Sequence, residues 1–376
     1  MAVTMDADHI LAINPGATST KIAVYRSNKF LFLKTIRHEY DELMVIKKTV
    51  EQLEPRLNLV LAEVRENHIP FDRIGIIIAR GGLIRPIESG IYEVNEAMIG
   101  DLKQGIMGTH ASNLGGLIAD RLRKEFPNAK AYIADPVVVD ELQDVARISG
   151  HPGIERISIF HALNQKSTAR AYAQSRGMEY EELNLIIAHL GSGISVGAHR
   201  KGRVVDVNNA LDGEGPFGPE RSGTLPAGAL ARYCFREEVS LKDVQEMLTG
   251  KGGLFAYMGH KDAHQLEKQA REGNRKARLI QEAMGYQISK EIGAMSAVLG
   301  GEVHAIIITG GIAHNPDLTG YIKERVGFIA PVFIYPGEDE MRALAINGAM
   351  LLSGKAAARK YGPESVVGGL DLESLD

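Results

Sequence analysis

Six polar residues stand at or close to the ends of apolar stretches or in a glycine-rich loop: Asn14, Arg80, Asp135, His161, His189 and Arg221. In sheets layered with helices, ligands bind beyond the carboxyl ends of strands, so polar residues there are candidates for chemistry. Taken singly, any of them could equally be a satisfied core or capping residue. Together they form a set of mixed charge. Asn14 and Asp135 carry the oxygen atoms that a hard cation such as Mg2+ prefers, directly or through its waters. Arg80, Arg221 and the two histidines could neutralise a phosphoryl group in transfer.

Three glycine-rich turns accompany these residues. Leu185–Ala188 is a short apolar run of the kind that makes a buried strand. His189 and Leu190 lead from it into Gly191-Ser192-Gly193, after which Ile194, Val196 and Ala198 resume in strand alternation, and a third strand is expected at Val204–Val207. The same design occurs at Ile10–Val24, with Asn14 in the place of His189. There a Gly/Ser/Thr loop precedes a strand at Lys21–Tyr25, a turn near Asn28 and a strand at Phe30–Ile36. A third loop, Thr309-Gly310-Gly311-Ile312, follows the run Ala305–Ile308. Glycine and serine between strands leave backbone N–H groups free to face phosphate oxygens. A Gly/Ser turn is by itself more often only a turn. Three of them, two in matching hairpins, point to a nucleotide held in a cleft between duplicated halves, with Ser19, Thr20 and Lys21 beside the first loop.

The elements that must position these groups follow from pattern. Strands alternating with long helices give an α/β fold. Tyr40–Glu66 has helical apolar spacing interrupted by Pro55, which predicts two helices or a kink. Ile74–Ala79 and Ala131–Ala134 read as strands, Leu114–Phe126 and Ala162–Arg176 as helices, Val137–Arg156 as irregular and Asp212–Gly223 as a long loop. The longest helical pattern runs from Leu279 to Leu299. Met341–Tyr361 reads as a helix returning to the first half, and Gly362–Asp376 as a loose acidic tail. The expected domains are 1–137 with 341–376, and 138–340.

At 376 residues the chain is about two domains long. A net charge of −4 argues against nucleic acid as the main partner. The single cysteine excludes an internal disulfide and thiolate zinc clusters. No run approaches the roughly 20 apolar residues of a membrane span, and the first residues lack a signal pattern, so a cytoplasmic protein is expected.

Some motif matches are accidental. Gly213–Gly218 fits a dinucleotide fingerprint by letter but contains proline and follows no strand. Gly193–Gly197 fits a hydrolase nucleophile pattern, yet Ser195 sits where strand alternation resumes, not at a strand-to-helix elbow. Neither Gly250-Lys251 nor Gly354-Lys355 completes a Walker A loop.

With these residues in place, the chain resembles the acetokinase family, most closely its butyrate kinase branch, within the superfamily of actin, sugar kinases and chaperone ATPases. The resemblance rests on Asn14–Lys21, Arg80-Gly81-Gly82, Phe160-His161, His189–Gly193, Arg221-Ser222-Gly223 and Thr309–Ala313, in that order along nearly the whole chain. It implies two duplicated actin-like (ribonuclease H-like) domains with a nucleotide cleft between them. It also implies Mg2+-dependent, reversible transfer of a phosphoryl group between ATP and a short-chain carboxylate, giving ADP and an acyl phosphate. On matching positions, Asn14 and Asp135 become metal and phosphate partners, and His161, His189 and Arg221 transition-state stabilisers. Gly191, Ser192 and Gly193 would meet the β and γ phosphates; Gly310, Gly311, Ile312 and Asn315 the adenosine side; and Asp262 the base. A metal-linked glutamate of the family falls on Glu340 or Glu338, and Glu340 is the position assigned. The family also implies a homodimer or larger homo-oligomer.

Departures from the acetate kinase pattern bear on the substrate. Acetate kinases carry His-Gly-Gly where this chain has Arg80-Gly81-Gly82, and their substrate arginine falls on Ile77. Their third loop continues Gly-Glu-Asn, against Ala313-His314-Asn315 here. These changes favour butyrate, isobutyrate or other branched acids over acetate or propionate, with Arg80 as the carboxylate partner. A carboxylic acid is already ionised at neutral pH, so no general base is needed. A hydroxyl kinase would need one, with Asp135 the candidate. An ATP-driven conformational module is the rival from outside metabolism, and substrate-dependent ATP use separates the three.

Overall fold

The structure, a computed structural model, describes residues 7–369 apart from 17, 28, 39–45 and 47. The chain forms two compact units. One runs to Asp140 and takes back Asp339–Gly368; the other is Glu141–Glu338. Glu340, counted with the second half in the sequence reading, therefore belongs with the first unit.

The first unit is built on strands β1 (His9–Pro15), β2 (Ser19–Arg26), β3 (Lys29–Arg37), β4 (Ile74–Arg80), β5 (Ile91–Glu93) and β6 (Lys130–Ala134). The second holds β7 (Asn184–Leu190), β8 (Ile194–Arg200), β9 (Arg203–Val207), β10 (Ala305–Gly310) and β11 (Val332–Pro336). The short strand β12 (Arg359–Lys360) returns to the first sheet. Sheet order is β12-β5-β6-β4-β1-β2-β3 in one unit and β11-β10-β7-β8-β9 in the other. Each sheet joins an antiparallel three-strand meander to two parallel strands: β3-β2-β1 with β4 and β6, and β9-β8-β7 with β10 and β11. The same order in both is the duplication that the paired hairpins announce.

Parallel strands need both faces covered, and β1, β4, β7 and β10 are accordingly buried almost throughout. In the first unit Leu57, Val60 and Val64 of helix Leu53–Glu66 and Leu117, Ile118 and Leu122 of helix Asn113–Leu122 pack onto Ile13, Ile22 and Ile77. In the second, Ile288 and Ile292 of helix Arg275–Val298 lie with Ile186, Val196 and Ile306.

Several expectations are corrected. Pro55 occupies the first turn of Leu53–Glu66, where its missing N–H needs no acceptor, so it neither kinks nor splits that helix. A short 3-10 turn, Thr49–Gln52, precedes it; Tyr40 and Leu43 of that pattern, and Asn28 of the expected turn, lie outside the described residues. The last helix, Glu340–Leu352, stops well short of Tyr361, and Gly354 follows at φ 68°. The start of the tail is docked. The Tyr361 phenol donates to Asp101, Asn95 Nδ2 donates to the Tyr361 carbonyl at 2.6 Å, and Val366 bridges to Ile87. Residues 370–376 of that tail lie outside the described residues. Strand β5, helix Glu96–Gln104 and the short helical turn Asp144–Arg147 have no counterpart in the sequence reading.

Candidate active site

In the first unit, register alone gathers three of the candidates. Ile13 of β1 pairs with Ala79 of β4, and Arg80 pairs with Ala134 of β6. Asn14, Arg80 and Asp135 therefore leave three neighbouring parallel strands at the same carboxyl edge. The helix Glu340–Leu352 begins there. Asp339 caps it by accepting from the Arg342 N–H at 3.2 Å, and Glu340 in its first turn is buried. One oxygen, Glu340 Oε2, accepts from Asn14 Nδ2 and from Arg80 Nη1 at 3.3 Å. Sequence left the choice between Glu338 and Glu340 open; here Glu340 is the carboxylate beside Asn14 and Arg80.

Asp135 faces the segment that leads into β5. Its Oδ1 accepts from Ser89 Oγ at 2.6 Å and from the Gly90 N–H at 2.9 Å, and its φ of 36° is a left-handed conformation that costs an L-residue about 1–2 kcal/mol. These bonds hold it against that strain.

The β1–β2 loop has an anchor that the sequence reading missed. Arg56, fully buried on helix Leu53–Glu66, donates through Nη1 to the Gly16 carbonyl at 2.9 Å, the Ser19 carbonyl at 3.3 Å and Thr20 Oγ1 at 3.1 Å. Gln52 Oε1 accepts from its Nη2 at 2.8 Å. Thr20 Oγ1, already accepting, passes its own proton to His38 Nε2 at 2.8 Å. Burial, and then the Arg56 charge, pushes His38 down to about 4, while burial brings Arg56 down to about 10. A signal for Arg56 was present: it lies on the apolar face marked by Leu53, Leu57 and Val60, where a charged residue demands a reason. Thr20 is thus committed to the loop anchor, and Lys21 is exposed on β2. Ala17, inside the motif, lies outside the described residues.

In the second unit His189 is the penultimate residue of β7 and is fully buried, and His161 occupies the N-cap position of helix Ala162–Ser175. Their rings stack at 3.8 Å between centroids with 16° between planes. His189 Nδ1 meets Asn164 Oδ1 at 2.7 Å, and His161 Nδ1 meets Ser195 Oγ at 3.0 Å. Glu338 Oε1 lies 3.1 Å from His189 Nε2 without the alignment of a hydrogen bond.

The Gly191–Gly193 turn closes with the Gly191 N–H donating to the Gly193 carbonyl at 3.1 Å. Arg221 packs directly on Gly193, where a Cβ would fall 1.9 Å from Nη1, and the same nitrogen donates to the Ala210 carbonyl at 2.8 Å. The loop Asp212–Gly223 forms no helix or strand, as its composition predicts. It is pinned by the Gly218 N–H to the Arg221 carbonyl at 3.0 Å and by the Phe217 N–H to Gln287 Oε1 at 3.1 Å. Gly310, at φ 93°, brings the third glycine loop against the Leu190 carbonyl, which a Cβ would approach to 2.4 Å.

A cavity of about 520 Å³ opens among these loops, lined by Gly191, Ser192, Asp262, Gly311, Ile312 and Asn315 with their neighbours. Asp262 caps helix Ala263–Arg271 by accepting from the His264 and Gln265 N–H groups at 2.9 and 3.0 Å, and the second of these bonds chiefly lowers its carboxyl below the usual range. Asn315 caps helix Pro316–Val326, and its Nδ2 donates to Gln281 Oε1 at 3.1 Å. Both residues shape the cavity wall through the helices they start.

Among the described residues no three His, Cys, Asp or Glu side chains converge as a metal cage. Glu340 with Asn14 is instead a compact oxygen-bearing pair. Glu340 Oε2 is occupied here by Asn14 Nδ2 and Arg80 Nη1; a cation such as Mg2+, which keeps much of its water and takes one or two carboxylates alongside substrate phosphates, would draw on the other carboxylate oxygen. Among the described residues no helix is long and apolar enough to cross a membrane.

Comparison with known proteins adds independent findings. Residues 149–326 match the acetokinase family. Butyrate kinase 2 and butyrate kinase 1 of Clostridium acetobutylicum are each 50% identical over 352 residues, spanning 94% of this chain and 99% of theirs. A probable butyrate kinase of Bacteroides thetaiotaomicron is 49% identical over the same shares. Among solved structures, Porphyromonas gingivalis acetate kinase superposes with a TM-score of 0.73 over 92% of this chain and 100% of its own, at 17% identity. A propionate kinase of Francisella tularensis gives 0.71 over 90% and 98%, also at 17% identity. The structural neighbours establish the actin-like ATPase fold.

Proposed function

Since the chain belongs to the acetokinase family, we propose that it is a butyrate kinase-type enzyme, transferring the γ-phosphoryl group of ATP to a short-chain carboxylate. The observation that carries this reading is the half-identity to butyrate kinases over 99% of their length. The site chemistry agrees with it. A carboxylate oxygen forms the new P–O bond, the bond from the γ-phosphorus to the β–γ bridging oxygen breaks, and ADP leaves with that electron pair. Acid and phosphate are both anions, so the work is charge neutralisation and alignment rather than proton removal.

Roles divide by unit. In the first, Arg80 is the candidate cation for the substrate carboxylate, oriented by Glu340. Asn14 and Glu340 would hold Mg2+, which when bound neutralises phosphate charge; Asp135 is the further metal partner that the family pattern suggests. In the second, the Gly191–Gly193 turn is the candidate cradle for phosphate oxygens, offered through the Ser192 and Gly193 N–H groups because the Gly191 N–H closes the turn. His161, His189 and Arg221 stand beside it as donors to charge developing on the transferred group. The cavity walled by Asp262, Gly311 and Ile312 is the candidate seat for adenosine.

The test is ATP- and Mg2+-dependent acyl phosphate formation, trapped with hydroxylamine, across acetate, propionate, butyrate, isobutyrate and valerate. Each buried methylene is worth about 0.8 kcal/mol, so a fitted pocket separates neighbouring chain lengths several-fold. A peak at four or five carbons is expected. Formation of no acyl phosphate with any acid, despite ATP binding, would overturn the reading.

A further inference from the structure

Behind His161 runs a buried line of hydrogen bonds. Its members are Ser195 and His199 on β8, Gln165 on helix Ala162–Ser175, and Tyr180 in the 3-10 turn that precedes β7. Ser195, Gln165 and His199 are fully buried and Tyr180 nearly so. The contacts are His161 Nδ1 to Ser195 Oγ at 3.0 Å, Gln165 Nε2 to Ser195 Oγ at 2.8 Å and to the Ser195 carbonyl at 3.1 Å. They continue with His199 Nε2 to Gln165 Oε1 at 2.9 Å and Tyr180 OH to His199 Nδ1 at 2.7 Å.

Donors and acceptors in this line can be assigned from one fixed point. The Ser195 carbonyl can only accept, so the Gln165 atom facing it is the amide nitrogen. Gln165 Oε1 then faces His199 and must accept, so His199 carries a proton on Nε2. Burial, with Lys166 and Arg170 nearby, keeps His199 well below its usual range and hence neutral, leaving Nδ1 to accept from Tyr180. The second amide proton of Gln165 goes to Ser195 Oγ. The His161 backbone N–H also faces that oxygen, at 3.5 Å. With Oγ accepting, the hydroxyl proton points to His161 Nδ1, which accepts it.

We infer that Ser195, Gln165, His199 and Tyr180 are positioning residues that hold His161 in the tautomer protonated on Nε2, as a donor toward the transferring phosphoryl group. The phosphoryl-facing role of His161 rests on the proposed function; the tautomer assignment rests on the hydrogen-bond geometry alone. The second nitrogen's partner sets the tautomer of a working histidine in the same way at many catalytic and metal sites.

The diagnostic substitution is Gln165→Glu. A carboxylate only accepts, so it takes the Ser195 proton, Oγ becomes the acceptor for His161, and the proton moves to Nδ1. The His199 Nε2–H and the neighbouring cations favour the ionised form. The full chain labelled with 15N-histidine, with His161 assigned by comparison with His161→Gln, reports which nitrogen is protonated. Expected are Nε2–H in the unaltered protein, Nδ1 protonated in Gln165→Glu, and a turnover loss of about tenfold or more with KM for ATP little changed. If Gln165→Glu does not fold, Ser195→Ala decides, because it strips the hydrogen bond from Nδ1 and must move that resonance.

A His161 protonated on Nδ1 in the unaltered protein overturns the inference. So does a Gln165→Glu spectrum identical to the original, or an unmoved Nδ1 resonance in Ser195→Ala. A moved proton with full turnover would leave the relay standing and refute the transfer role of His161 instead.

Discussion

Gly193→Ala tests how Arg221 is held. The added methyl would stand 1.9 Å from Arg221 Nη1, 2.7 Å from Cζ and 2.6 Å from the Ala210 carbonyl oxygen. The carbonyl belongs to backbone and yields little, whereas the guanidinium ends a flexible chain. The methyl therefore evicts Arg221 and breaks its 2.8 Å bond to the same carbonyl. Losing a hydrogen bond from a charged donor costs about 1.5–3 kcal/mol. Forcing a methyl into filled space adds about 1–3 kcal/mol. Destabilisation of about 2.5–6 kcal/mol by urea unfolding is expected. Removing one preorganised donor from a transition state lowers turnover by about 10²–10³, so hydroxamate assays should show a loss of that order with a smaller change in KM for ATP. The double variant Gly193→Ala/Arg221→Ala isolates the coupling. If the methyl acts through Arg221, the double variant turns over no more slowly than Arg221→Ala and is more stable than Gly193→Ala. Losses that multiply, or a Gly193→Ala enzyme with undiminished turnover, would refute the reasoning.

Three further outcomes are expected. Glu340→Gln should raise KM for the carboxylate and lower turnover through Arg80; because Arg80 is partly exposed, the stability loss should sit near the low end of the about 3–5 kcal/mol for breaking a buried pair, and an unchanged urea midpoint would deny the pairing. Lys166→Met should cost about 3–5 kcal/mol by leaving Glu141, which Lys166 meets at 2.8 Å, charged and buried; adding Glu141→Gln should recover most of it, and a double variant as unstable as the single would contradict this. His38, held down to about 4 against 6.5 unfolded, binds its proton more weakly when folded, so its contribution is complete above pH 6.5 and is lost as pH falls from 6.5 toward 4. Urea unfolding between pH 7 and 4 should lose up to one proton's worth of this slope in His38→Gln, and identical pH profiles would rule the residue out.

Much of the fold was legible because its signals are short-range. Apolar runs such as Leu185–Ala188 and Ala305–Ile308 become strands wherever both faces are covered, and the glycine turns behind them are local backbone requirements. Their repetition half a chain apart revealed the duplication, and Asn14, Arg80 and His189 at strand ends marked a candidate edge before any pairing was known. Pro55 misleads because a proline pattern cannot say which turn of a helix it occupies; the helix starts at Leu53, which puts Pro55 in its first turn. The final helix was read too long because the alanine-rich stretch after Leu352 keeps helical composition while the chain leaves at Gly354.

What only the tertiary structure decided are the partners. Glu338 and Glu340 are two residues apart and chemically alike, yet one lies beside His189 and the other between Asn14 and Arg80. Arg56 reaches a loop some 40 residues earlier in the chain, and Ser195 meets His161 and Gln165 only because β8 and a helix cross at one point. Sequence alone determined which segments become strands and turns and which side chains stand at their ends, since these depend on neighbours a few residues away. Which nitrogen faces which oxygen depends on register and packing between segments far apart in the chain, and that information exists only once the chain has folded.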